Sequence, residues 1–369
     1  MIIIDGKYNM AKVFTSDLEP TARQQIQTLV NQPFVKGSKI RVMPDVHTGA
    51  GSTIGTTMTI TDKVVPNLVG VDIGCGMLTT KLDVQYIDFK LLDRVIRQEI
   101  PSGFSIRRHP HTYIDQVDIK NLRIRKGGKN DRSLDLERAG LSIGTLGGGN
   151  HFIEINRDEA GTYYLVIHSG SRNIGLQVAL HYQRLAASKS QNMTKDLEYL
   201  ENEDFKDYLH DMRIMQKYAL INRIAMAEVI LREMNWKSLD QFTTTHNYID
   251  METMILRKGA VSSQKGERLL IPLNMRDGSL ICIGKGNPDW NYSAPHGAGR
   301  AMSRTAARNQ LDLQEFRNTM DGIYSTSVSR KTLDEAPEAY KDIDQLLEYL
   351  HETATIEKHL SVSYNFKAN

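Results

Sequence analysis

Cysteine is scarce: the 369-residue chain has two, Cys75 and Cys282. Two cysteines cannot build a disulfide scaffold, and such usage fits a reducing cytoplasm. Long apolar runs are missing too. No segment approaches the roughly 18 consecutive apolar residues that mark a membrane-spanning helix. The N-terminal MIIIDGKYNMAKVF is broken by Asp5 and does not read as a signal peptide. A soluble cytoplasmic protein with no membrane partner is therefore expected. Charge of one sign is lacking as well. Lys+Arg number 46 and Asp+Glu 44, a formal net charge of +2, whereas a protein that coats nucleic acid is strongly basic. Affinity for nucleic acid would have to come from local patches. No repeat, low-complexity tract or Pro/Ser-rich linker marks a boundary, so one domain over 1–369 is expected, although the length is compatible with two. Neither C-x-x-C nor H-E-x-x-H occurs, so no generic metal motif is present.

Glycine, by contrast, is clustered. It concentrates in GAGSTIG (49–55), GVDIGCG (70–76), GTLGGGN (144–150), SGSRNIG (169–175), GKGN (284–287) and HGAG (296–299). Between these lie short β-rich runs, KIRVM, MLTTKL, YYLVIHS, RLLIPL and SLICIG. Glycine permits tight turns and close backbone approach, so glycine-rich turns at strand ends suggest the floor of an active site. A mainly helical segment is expected at about 177–234, with Asp204–Met234 amphipathic at three- and four-residue spacing. Tyr340–Leu360 is a second helix candidate. The fold class is α+β, with central mixed or antiparallel sheets around the active site and helices packed outside.

Several metal-ligand residue types sit beside these turns. Asp72 and Cys75, three apart in GVDIGCGM, can converge from one tight turn, and a thiolate can bridge two cations. The run HFIEINRDEAGTYYLVIH reads as a β-hairpin turning around Asp158–Gly161. A loop symmetric about Glu159 and Ala160 pairs His151 with His168, placing the Cβ atoms about 4.5–5.5 Å apart. Paired imidazoles suit a dinuclear site with cations about 3.5–4 Å apart. That register sends Glu154 to the opposite face. His246 in TTTHNYID and His296 in SAPHGAGR are further candidates. Spacing alone leaves a metal site and a set of structural histidines both open. One thiolate, one carboxylate and three imidazoles suit zinc, while manganese, weakest in the divalent series, needs geometry or availability in its favour. Cys282, between two isoleucines, reads as core, and His181 and His210 as surface or packing residues. The segment 107–132 carries Arg107, Arg108, Lys120, Arg123, Arg125, Lys126, Lys129 and Arg132 with His109 and His111. It reads either as a phosphate-contacting patch or as a solvated basic loop.

In chain order, MPDVHTGAGSTIG, VGVDIGCGM, GTLGGGNHFIE, IHSGSRNIG, HNY, GKGN and SAPHGAGRAMSR span about residues 43–305. Together they resemble the motifs of the RtcB family of RNA ligases, as a shorter, divergent branch. The resemblance implies a GTP-dependent ligase with two Mn²⁺ per active site. It would join RNA 3′-phosphate or 2′,3′-cyclic phosphate ends to 5′-hydroxyl ends. His296 would be the nucleophile that carries GMP. Asp72 and Cys75 would be metal ligands, Cys75 bridging both cations, with His151 on one metal and His168 and His246 on the other. The nucleotide would be bound along Asn150, His151, Phe152, Ile153 and Glu154, by His246 and Asn247, and by Pro272, Leu273, Asn274, Met275 and Ser279. His296, Gly297, Ala298, Gly299 and Lys367 would complete that surface, Glu154 reading the base and Lys367 matching the family's terminal lysine. His47, in a matching motif, would be a wall of the site, Asp45 reads as a carboxylate that orients a ligand, and Arg172 and Arg300 read either as phosphate-binding or as structural residues. The chain departs from the pattern at PLNMRDGS (272–279), where the family shows a PGSMG-like loop, and in its FKAN ending. The competing enzyme reading is a dinuclear phosphoesterase that acts on RNA ends without joining them; it would need no nucleotide-carrying His296.

Overall fold

The computed structural model describes residues 1–126, 134–189 and 193–368. Two large sheets organise it. The first has the order β1 (Ile2–Asp5), β2 (Met10–Val13), β3 (Ile40–His47), β4 (Ile54–Thr59), β12 (Ile255–Lys258), β11 (Asn247–Asp250). Its β2 and β3 run parallel, its other neighbours antiparallel. The second, antiparallel at every pairing, has the order β10 (Ser238–Thr245), β6 (Gly76–Leu82), β8 (Tyr163–Ser169), β7 (Phe152–Arg157), β17 (Ala354–Lys367), β15 (Gly278–Gly284), β14 (Arg268–Asn274). Short pairs join β5 (Lys63–Val64) to β9 (Leu200–Glu201) and β13 (Ala260–Ser262) to β16 (Ser293–Pro295). The helices are α1 (Pro20–Val30), α2 (Phe89–Glu99), α3 (Leu136–Ser142), α4 (Arg172–Lys189), α5 (Asn202–Glu233), α6 (Arg304–Gln310), α7 (Leu313–Thr319) and α8 (Ile343–Leu350). The α+β expectation is met, and helix covers most of 177–234 as α4 and α5.

Helix α5 ties the two sheets together. Its 32 residues extend about 48 Å at 1.5 Å per residue. Tyr208, Met212, Met215 and Tyr218 pack into one apolar core and Met226, Val229 and Ile230 into another. Between these apolar halves, Asn222 and Arg223 are fully buried polar side chains.

Two expectations are corrected. Tyr340–Leu360 is not one helix: α8 ends at Leu350 and β17 begins at Ala354. The residues Leu360, Val362, Tyr364 and Phe366 alternate, all buried, the period of a strand rather than a helix. In the β7–β8 hairpin, His168 stands opposite Phe152, not His151. The turn is one residue longer than the symmetric loop assumed. Asp158 closes it, accepting from Thr162 N at 2.9 Å, and Gly161 takes φ +84°. The slip of one residue returns Glu154 to the face of His168, because side chains alternate with period two.

Candidate metal and nucleotide site

The GVDIGCG turn places Asp72 and Cys75 just ahead of β6. Gly74 N donates to Asn247 O at 2.7 Å and His246 N to Cys75 O at 2.9 Å, which locks the turn to the β10–β11 junction. Gly74 has φ +73°, and a Cβ there would stand 2.9 Å from Ala219 Cβ on α5; the turn therefore requires glycine. His168 enters from the end of β8 and His151 from the residue before β7.

These side chains converge. Cys75 Sγ lies 3.2 Å from His168 Nε2 and 3.5 Å from His151 Nε2, and His151 Nε2 lies 2.9 Å from Asp72 Oδ2. Two sets, Cys75–His168–His246 and Asp72–Cys75–His151, each bring their donor atoms within 4.8 Å of one another, with Cys75 in both. The imidazoles are aimed by backbone carbonyls: His151 Nδ1 pairs with Leu146 O at 3.0 Å and His168 Nδ1 with Asn150 O at 3.1 Å. Such outer hydrogen bonds fix ring orientation and leave Nε2 to the cluster. Burial, then the neighbouring imidazoles, hold His168 and His246 well below the usual histidine range, so both are neutral donors. Burial and the Asp72 charge push the Cys75 thiol up, with Arg223 opposing; a cation would supply the charge that makes it a thiolate. Burial raises Asp72, but the His151 hydrogen bond and charge outweigh it and hold the carboxyl below its ordinary value. A donor set of this kind fits divalent transition metals.

Beneath the cluster, the buried pair on α5 pins its backbone. Arg223 Nη1 donates to Gly74 O and Ser169 O, both at 2.8 Å. The Asn222 amide accepts from Gly144 N and Thr145 N at 2.9 and 3.1 Å and donates to Thr145 O and Ser169 Oγ. The turns bearing Cys75, His151 and His168 thus hang on two adjacent residues.

His296 follows β16, its ring centroid 5.1 Å from that of His246. Asp45, buried in β3, accepts from His296 N at 3.1 Å and pairs with His296 Nδ1 at 2.6 Å. Asp45 therefore orients His296 rather than a residue of the metal-type cluster. His47, its Nδ1 against Asp45 O, is a wall of the same cleft.

That cleft, about 280 Å³, is lined by Asp72, Cys75, His168, His246 and His296 together with Asn150, Phe152, Glu154, Asn247, Pro272, Leu273, Asn274, Met275, Gly297, Ala298, Gly299 and Lys367. The sequence motifs are thus brought to one place. His151 is buried in the cluster itself, Ile153 faces the core beneath the sheet, and Ser279 is buried in β15 opposite Pro272. PLNMRDGS forms the β14–β15 turn, closed by Asn274 accepting from Arg276 N and Asp277 N, both at 2.9 Å. Glu154 accepts from Asn365 Nδ2 at 2.6 Å, and burial pushes its carboxyl up to about 7. Cys282 is core, as read from the sequence.

Glu335, Arg304 and Tyr340 also line the cleft; of these only Arg304, the last residue of SAPHGAGRAMSR, lies in a motif the sequence offers. Glu335 is buried and binds Lys367 Nζ at 2.8 Å, Arg304 at 2.9 Å and Arg300 at 3.4 Å. Arg300 is turned toward Asp334 O and Met302 O. Arg172 is held by Thr145 Oγ1 and Gly103 O. In the basic segment, Arg123 pairs with Asp207 and is not among the residues that line the cleft, and His111 faces Glu228 at 3.4 Å. Lys129 and Arg132, and the side chains of Arg125 and Lys126, lie outside what the structure describes.

The sequence model of the family described as tRNA-splicing ligase RtcB matches residues 25–367. The chain belongs to the RtcB family. It is 34% identical to the RNA-splicing ligase RtcB of Escherichia coli K12, over 89% of this chain and 90% of that one. It is 27% identical to the tRNA-splicing ligase RtcB of Nanoarchaeum equitans, over 94% and 93%, and 28% identical to the RNA-splicing ligase RtcB of Mycobacterium tuberculosis, over 86% and 93%. The match to the RtcB family covers the cysteine–histidine cluster, the Asp45–His296 pair and Lys367 alike. No described helix is long and apolar enough to cross a membrane.

Proposed function

We propose that the protein is a GTP-dependent RNA ligase of the cytoplasm. It joins an RNA 3′-phosphate or 2′,3′-cyclic phosphate end to a 5′-hydroxyl end, in a single catalytic domain. The observation that carries this reading is the Asp45–His296 pair at the edge of a cysteine–histidine cluster. With Nδ1–H donated to Asp45, the His296 Nε2 lone pair is the nucleophile. It attacks the α-phosphorus of GTP; a phosphorus–nitrogen bond forms and pyrophosphate leaves. An oxygen of the RNA 3′-phosphate then attacks the same phosphorus, the phosphorus–nitrogen bond breaks, and the RNA carries GMP on its end. The 5′-hydroxyl attacks the RNA phosphorus, loses its proton, and GMP departs. A cyclic end is first opened by water to the 3′-phosphate.

Asp72, Cys75 and His151 would hold one Mn²⁺, and Cys75, His168 and His246 the other. When bound, the ions would neutralise charge at phosphorus and orient the triphosphate. Glu154 would accept the guanine N1–H and amino protons, and Lys367, held over the Phe152 ring at 5.3 Å, would lie against the nucleotide. Gly297–Gly299 let the backbone approach phosphate oxygens. A phosphoesterase could use the same cluster but has no use for a clamped imidazole as nucleotide carrier. The test supplies Mn²⁺, GTP, an RNA with a 3′-phosphate and another with a 5′-hydroxyl. A joined product that depends on GTP supports the ligase; release of inorganic phosphate without joining, indifferent to GTP, overturns it.

A further inference from the structure

Beside the nucleotide cleft lies a second depression of about 490 Å³, within the roughly 300–1,000 Å³ of ligand sites. Arg304 and Glu335 line both, so the two share a wall. One rim is the loop after α2. Its backbone is fixed: Leu146 N donates to Pro101 O and Gly103 N to Gly147 O, both at 2.9 Å, while Arg172 and Arg138 donate to Gly103 O and Phe104 O at 3.2 and 3.1 Å. On this fixed backbone the Phe104 ring is 97% exposed. Burying an apolar ring stabilises a fold, and this one is held in water instead.

The facing rim is cationic. Asp334 holds Arg304 Nη1 at 2.8 Å and Arg308 Nε at 3.1 Å, and Lys331 is exposed beside them. In the depression itself Arg304, Arg308 and Lys331 stand with Asp334 and Glu335, three cations to two carboxylates. The floor is the exposed Gly148–Gly149 backbone.

We propose that this depression docks a single-stranded RNA end, one base stacked on Phe104 and the adjoining phosphates on Arg308 and Lys331. An aromatic platform joined to a cationic track is how proteins hold single strands without reading sequence. A protein partner would call for an apolar interface centre, whereas Phe104 stands between Ser102, Ser105 and cations. The shared wall leads from the platform to the cleft where the nucleotide is carried. The inference rests on the ligase reading, since only a strand to be joined has to reach His296.

The test measures binding of two short labelled oligouridylates to the Mn²⁺-loaded protein. One carries a 3′-phosphate and a blocked 5′ end, the other a 5′-hydroxyl and a 3′-hydroxyl. Phe104→Ala should weaken one of them about five- to a hundredfold, and Phe104→Trp should restore it; which strand responds identifies the docked end. Arg308→Ala with Lys331→Ala should flatten the salt dependence of that strand by about 0.7 per lost contact. Labelling of the protein by GTP should be unchanged in all three. If Phe104→Ala binds both strands as tightly as the parent while the parent seals RNA, the docking site is wrong and the ligase stands. If the parent neither binds nor seals RNA, the ligase reading itself falls.

Discussion

Asp45, wholly buried, has one carboxylate oxygen 2.6 Å from Nδ1 of His296 and 3.1 Å from its backbone nitrogen. Two hydrogen bonds to one oxygen fix both the position of the ring and the tautomer that leaves Nε2 for chemistry. The variant Asp45→Asn keeps the shape and loses the charge. It should slow guanylylation on the order of a hundredfold or more and leave metal content unchanged, because Asp45 touches none of the cluster. Stopped-time labelling with GTP beside metal analysis checks both halves; labelling at the parent rate would remove Asp45 from the account.

Cys75 belongs to both donor sets, so its loss should cost more metal than the loss of any donor that belongs to one. Cys75→Ala should bring bound metal close to zero and abolish ligation, and His168→Ala should lose at least one cation per chain. Elemental analysis of protein with an unchanged circular dichroism spectrum decides this. Full metal content in either variant would mean the cluster is structural.

Burial pushes the Glu154 carboxyl to about 7, while the guanine reading needs the carboxylate. The unfolded chain releases this proton near 4.5 and the free folded protein only near 7. Between those values the group therefore weakens the fold as pH rises, and binding guanine draws the proton off. GTP affinity should fall as pH drops through about 7, approaching tenfold per unit on the acid side. Glu154→Gln should bind GTP more weakly and lose that slope. His168 and His246, held neutral, do not contribute in this window. Titration calorimetry across the range, parent against variant, is the check; parallel pH profiles would contradict it.

The two buried residues of α5 should matter to stability rather than to substrate. Arg223→Met leaves the Gly74 and Ser169 carbonyls without their donor, a cost of about 2–6 kcal/mol at 1–3 kcal/mol for each stranded group. Urea unfolding should show the loss, and the variant should bind metal more weakly because both carbonyls flank cluster residues. An unchanged midpoint would show that water takes the place of the guanidinium.

Much of the site was legible because its residues lie within short glycine-rich motifs whose order along the chain is distinctive. Asp72, Cys75, His168, His246 and His296 needed no structure to be singled out. The pairing of His151 with His168 was misread by one residue, since turn length sets register and Asp158–Thr162 is one residue longer than symmetry suggested. The helix expected over Tyr340–Leu360 failed because Leu346 and Leu350 are spaced as a helix while Leu360 to Phe366 alternate as a strand. Glu335, Asn222 and Arg223 carried no signal at all. Apart from Tyr340, which donates to Glu335, their partners are twenty residues or more away in sequence, and only folding shows that they are buried together with them.

The central claim is that His296 carries GMP. Incubation of the protein with Mn²⁺ and GTP labelled at the α-phosphate, followed by denaturation, tests it most directly. The account predicts one label per chain, lost in acid and kept in alkali as a phosphoramidate is, mapping to the peptide that holds His296. It predicts none in His296→Ala, whose metal content should match the parent. Metal-loaded parent protein that never takes the label, or His296→Ala protein that still does, would contradict it.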